Sequence, residues 1–275
     1  MSLTRRLAPL TGAFLLALAA AAVIPADASH SWSKHHWARS ANPFTLQLGD
    51  NVDDPWRTYL TTTWSDWSTS GTFDFGNGSS GNASNDPIRT KVVTGTTTGS
   101  ECKPSLGTTQ VCSAAYGASG WLGLAQIWLT RGSHIAQSTA KANDTYFTTP
   151  TYDDPNERLH ALCQEVARTF GLGHTSEDGP SQDTCMDDFS STGANATSTL
   201  STRPNQHDSG QLAKIHGRSD RFSSLTSGGT GGTPAVFVDG HRPDGTPNGA
   251  SRANGHRYIQ PHGNGEFLVT HVYWR

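Results

Sequence analysis

Residues 163–174 read Cys163-Gln-Glu-Val-Ala-Arg-Thr-Phe-Gly-Leu-Gly-His174, and the reading of this stretch decides the fold. Gln164 and Arg168 stand four apart, a spacing that stacks two side chains on one helical face. His160 lies one turn earlier on that face, shifted by ~6 Å along the axis. Upstream, Asp153-Asp154-Pro155 introduces a helix predicted from about Asn156 to Gly171, with Gly171 or Gly173 as its stop. Twelve residues after His174 comes Met186, within Thr184-Cys-Met-Asp-Asp188.

The two segments together resemble H-E-x-x-H-x-x-G-x-x-H followed by a Met-turn, the signature of the metzincin family of secreted, matrixin-like zinc endopeptidases. The resemblance puts Glu165 on the general base, Gly171 on the glycine that lets the chain leave the helix, and His174 on the third zinc ligand. Met186 falls in the Met-turn. Gln164 and Arg168 fall on the first two ligand positions, where the family places histidines. A catalytic zinc takes three protein ligands and a water whose pKa it lowers to about 7. Gln164 offers only a weak carbonyl oxygen, and Arg168 brings a fixed positive charge to the place of a cation. His160 is the candidate substitute ligand. Alternatively, the Arg168 guanidinium fills the metal's place and pairs with Glu165.

The resemblance runs over roughly residues 42–222. It implies an α+β fold: a mixed, twisted sheet with an active-site helix and a second packed helix. Trp121-Leu-Gly-Leu-Ala-Gln-Ile-Trp-Leu-Thr130 and the stretch His134 to Phe147 look like the two strands before the active-site helix. In the family, the edge strand of this sheet holds an extended peptide antiparallel by main-chain hydrogen bonds. Partial alternation over His134 to Lys141 fits an exposed strand. Pro204 to His216 resembles the family's C-terminal helix, with Asp208 or Ser209 as its cap. The implied activity is peptide-bond hydrolysis on an extracellular protein or peptide, with zinc as cofactor. The alternative is a metzincin-fold protein without catalysis that binds extended peptides, or acts as a regulator or envelope component.

The start of the chain points to export. Arg5 and Arg6, the apolar run Leu7 to Ile24 and the small-x-small Ala26-Asp-Ala28 read as a signal peptide over residues 1–28. Its removal moves the formal net charge from −3 to −4. No basic patch marks a nucleic-acid partner, and no membrane association is expected after cleavage. Four cysteines in an exported chain imply two disulfides. Sequence order favours Cys102 with Cys112 and Cys163 with Cys185, the latter clamping the helix to the Met186 turn. A free Cys163 acting as ligand or nucleophile is the alternative.

Outside these motifs, residues 29–41 carry Trp32, His35, His36 and Trp37 and read as a mobile arm with a weak metal-binding option at His35-His36. Phe44 to Leu48 and Ile88 to Val93 read as strands, and Phe75 to Asp86 as a loop. Pro55 to Trp67 reads as a helix that buries Trp56, Leu60, Trp64 and Trp67. A Ser/Gly/Thr linker over residues 223–234 separates the main domain, residues 42–222, from residues 235–275, expected to form a small C-terminal β appendage. Asp50, Asp53 and Asp54, or Asp187 and Asp188, offer hard oxygens for a calcium ion, without the spacing of a defined calcium loop.

Overall fold

The computed structural model describes residues 30–69, 87–130, 133–225 and 240–275. The signal segment, the loop at 75–86, most of the linker and the strand expected at 235–239 lie outside the described residues.

Among the described residues, eight strands and four α-helices make a mixed α/β structure. The strands are β1 (His36–Trp37), β2 (Phe44–Asn51), β3 (Ile88–Thr94), β4 (Thr108–Ala114), β5 (Trp121–Thr130), β6 (His134–Asn143), β7 (Arg257–Gly263) and β8 (Glu266–Trp274). The helices are α1 (Asp54–Thr69), the short α2 (Asp144–Phe147), α3 (Pro155–Arg168) and α4 (Gln206–Ile215). The strand order is β3-β2-β4-β6-β5-β8-β7, and β1 pairs with the start of β6. Strands β2, β3, β4 and β6 are parallel, while β5, β8 and β7 alternate in direction.

Helices α1 and α3 pack on one face of this sheet. Trp56, Leu60 and Trp67 of α1 are buried, as their helical spacing requires, and join Phe147, Phe170 and the apolar residues of β2 and β5 in the main core. Helix α3 begins with Asp154, whose carboxylate accepts from the Asn156 and Glu157 backbone N–H groups, and Pro155 fills the first turn. It ends just past Arg168, and the chain turns at Gly171, whose φ of +102° disfavours any side chain. A Cβ there would also meet the His35 carbonyl at 2.6 Å. For α4 the cap is Asn205 rather than Asp208 or Ser209. Asp208 instead closes the capping box by accepting from the Asn205 N–H.

Three expectations change. Strand β6 is not an exposed edge: it lies between β4 and β5 and is buried along nearly its whole length. The N-terminal arm is held in the structure, with Trp32 and Trp37 in the core and their indole N–H groups donating to the carbonyls of Arg168 and Thr169. The C-terminal β segment is no appendage, because β8 is an internal strand paired with β5 on one side and β7 on the other. Its two faces explain the placement. Val269 and Tyr273 enter the main core, while Val272 and Trp274 join Trp121 and Leu124 in a smaller cluster on the opposite face.

Both expected disulfides form, Cys102 with Cys112 and Cys163 with Cys185. No described helix is long and apolar enough to cross a membrane.

Candidate functional site

Helix α3 turns Glu165 inward over β5, where Gly123 leaves room for it: a Cβ on Gly123 would lie 2.7 Å from Glu165 Cγ. The carboxyl is fully buried, and neither oxygen has a hydrogen-bond partner of good geometry. Burial pushes its pKa up to about 8, against the pull of the Arg168 guanidinium and the Ala125 N–H. Glu165 is therefore protonated at neutral pH.

Arg168 is also buried, at 3 % exposure. Burial lowers its pKa to about 10, opposed by Glu165, Glu177 and Asp188, so it keeps its charge at neutral pH. It feels the Glu165 carboxyl electrostatically, but no direct ion pair joins the two. The pairing expected from their helical spacing is not made.

Gln164 points its amide NH₂ at the turn carrying Met186, donating to the carbonyls of Cys185 at 3.0 Å and Asp187 at 2.7 Å. The Cys163–Cys185 bond braces the same contact. His160 sits one turn away with Nδ1 2.6 Å from the Ser201 carbonyl and Nε2 3.4 Å from the Gln164 amide nitrogen. Donation to that carbonyl fixes the proton on Nδ1 and leaves Nε2 as the lone-pair nitrogen. Burial lowers its pKa to about 4, so the ring is neutral. Met186 is buried in the core, and its carbonyl accepts from the Thr175 N–H, tying the turn to the segment that carries His174.

His174 shares with Arg168 a cleft of about 400 Å³ that is also lined by Trp32, Glu177, His256 and His271. Its Nδ1 is 3.3 Å from Glu177, its Nε2 is buried without a hydrogen-bond partner, and its ring meets that of His256 edge-on at 5.1 Å. Burial, the Arg168 charge and the neighbouring imidazoles hold His174 and His271 well below the usual histidine range. The cleft thus sets the neutral rings of His174 and His271 beside the buried Arg168 cation.

Sequence reasoning missed His256 and His271. His271 alternates with Val269 and Tyr273 on β8, a pattern visible in the sequence, but its meeting with α3 depends on the pairing of β8 with β5. Tyr273 is the other contribution of that strand. Its hydroxyl donates to Glu157 Oε1 at 2.7 Å, and its ring lies 5.3 Å from that of His160.

The donor set tests the fit of a zinc ion directly. Among the described residues, two groups of His and Asp bring their ligand atoms within 4.8 Å of one another, and neither includes His160, Glu165 or His174. Gln164 donates its NH₂ to main-chain carbonyls and keeps only a weak carbonyl oxygen, Oε1, without a hydrogen-bond partner, while Arg168 brings a buried positive charge to the cleft of His174. These residues do not fit a zinc ion in this arrangement. The aspartates considered for calcium are outside both groups: Asp50 and Asp54 pair with Arg57, and Asp187 accepts from the Gln182 N–H and the Ser201 hydroxyl.

Comparison with protein-family models, with curated proteins and with solved structures finds no match to this chain.

Proposed function

We propose that the protein is an exported, non-hydrolytic relative of metzincin endopeptidases whose strand β5 is a docking edge for extended polypeptide, filled in this state by the chain's own β8. The observation that carries the reading is the register of β8 on β5. Tyr273 stands opposite Gly123 and His271 opposite Ala125, the two β5 positions beneath Glu165. An extended chain therefore already runs antiparallel along β5, the strand beneath Glu165, rather than along β6.

The chemistry of α3 supports the loss of hydrolysis. Burial favours the protonated form of Glu165 and weakens it as a base, and the charge of Arg168 repels a second cation. Two disulfides and the N-terminal signal pattern support export. The partner class is an extended segment of an extracellular protein or peptide that competes with β8 for β5.

The test pairs a cleavage assay with a binding assay. The mature chain is incubated with labelled casein and an extended-peptide library, with zinc supplied, while amide exchange is followed along β8. The expected result is peptide retention without cleavage, with faster exchange in β8. Turnover that vanishes in Glu165→Ala would establish the endopeptidase reading instead.

A further inference from the structure

We propose that His36, His134 and Asp220 form a binding site for a divalent transition-metal ion, separate from the residues around Glu165. The site arises from sheet register. Strand β1 runs parallel to β6 with His36 beside His134, so two imidazoles become lateral neighbours with ring centroids 4.9 Å apart. Asp220, beyond α4, completes the group: its Oδ1 is 3.4 Å from Nε2 of His36 and 3.4 Å from Nε2 of His134.

The His36 Nε2–Asp220 Oδ1 contact also serves as a hydrogen bond when no ion is bound, and the metal reading rests on all three ligand atoms meeting within 4.8 Å of one another. Two ligands held about 2.1 Å from one tetrahedral ion stand roughly 3.4 Å apart. The buried trio of His30, His207 and Asp208 is tighter, with His30 Nε2 and Asp208 Oδ1 2.9 Å apart and both side chains closed off from solvent.

The surroundings orient the ligands as a metal site requires. His36 Nδ1 lies 2.8 Å from the Lys34 carbonyl, which fixes the proton there and presents Nε2 as the donor atom. The second oxygen of Asp220 is held by Arg39, whose backbone N–H and Nη1 both donate to it at 3.2 Å. Arg39 is itself buried and anchored on the carbonyls of His216 and Arg218. Asp220 Oδ1 is therefore aimed at the two imidazoles by a rigid clasp.

Two imidazoles and one carboxylate suit zinc, cobalt or nickel rather than calcium. The three side chains each keep 17 % exposure, so an ion can enter from solvent. A cleft of about 410 Å³, bordered by His36, Asp220, Lys34, Lys214 and Arg218, opens beside them. Three protein ligands with an open side leave a position for water or an anionic ligand.

The chelator-treated full mature chain is titrated with zinc by calorimetry and with cobalt by visible absorption, with melting in chelator to verify that each variant is folded. One ion per chain is expected, with the d–d bands of four- or five-coordinate cobalt. His36→Gln and His134→Gln, made separately, are each expected to weaken uptake by at least about 100-fold. Uptake persists in His174→Ala, which removes an imidazole from the other cleft. Failure of the parent to take up either ion, or uptake unchanged in both His→Gln variants, overturns the assignment.

Discussion

Ala125 of β5 stands directly opposite His271 of β8, and this pairing lays the chain's own C-terminal strand along the floor of the Glu165 site. Residues far apart in sequence thus share one small polar interior, and its chemistry is open to mutation from either strand.

Gly123 is the tightest point of that interior. Gly123→Ala puts a methyl group 2.7 Å from Glu165 Cγ and is expected to lower stability by about 1–3 kcal/mol. Adding Glu165→Ala removes the clash, so the double variant recovers part of the loss. Urea unfolding of the four chains measures the coupling, and strict additivity would contradict the contact.

Titration of Glu165 leaves a signature in stability. Its pKa rises from 4.5 to about 8 on folding, so between these values the folded chain holds a proton that the unfolded chain has released. The stability linked to that proton is complete below pH 4.5 and is lost as pH rises through about 8. Glu165→Gln cannot ionise, so its Tm relative to the parent is expected to climb steadily from pH 5 to pH 8. The neutral histidines act in the opposite sense. His160 and His216 fold with pKa values of about 4 and about 3, so their contribution is present above pH 6.5 and is lost as pH falls.

Tyr273 links β8 to α3 through a buried carboxylate. Tyr273→Phe leaves Glu157 Oε1 without its donor, while Oε2 keeps the Ser190 and Ser191 contacts. The expected loss is about 1–2 kcal/mol in chemical denaturation, with the fold unchanged by circular dichroism.

The Cys163–Cys185 bond closes a separation of 22 residues between α3 and the turn carrying Met186. Replacing both cysteines with alanine is expected to destabilise the chain by about 3 kcal/mol. The Gln164 contacts to the Cys185 and Asp187 carbonyls should loosen with it, seen as faster exchange of amides in residues 184–188.

Gln164→His together with Arg168→His removes the buried cation and creates an i, i+4 imidazole pair on α3. In a His36→Gln background this double variant is expected to take up one zinc, dependent on His174. No uptake would mean that these positions cannot be turned into ligands in this fold.

Much of the fold was legible where periodicity and punctuation agree. The Asp-Pro start marked α3, which ends at Arg168 short of the Gly171 turn, and tryptophan spacing marked α1, while Trp121 to Thr130 was readable as a strand through the family resemblance. Strand β4 was missed because Thr108 to Ala114 sits beside a cysteine pair that reads as a short closed loop. The arm at 29–41 was misread because two tryptophans without regular spacing carry no period, and only their burial against α3 explains them. Within the site, Gln164, Glu165 and Arg168 were legible from local spacing. The partners from β7 and β8, and the meeting of His36, His134 and Asp220, were not, since strand pairing across the chain decides them.

Strand β8 has one further consequence. Trp121 and Trp274 are neighbours in the sheet although 153 positions separate them (274 less 121). Closing so long a loop carries a large entropic cost, and until β8 docks, β5 presents an unpaired edge. The strand that arrives need not come from the same molecule. At high concentration, two chains can exchange their β8 segments and lock together as a domain-swapped dimer with every native contact preserved.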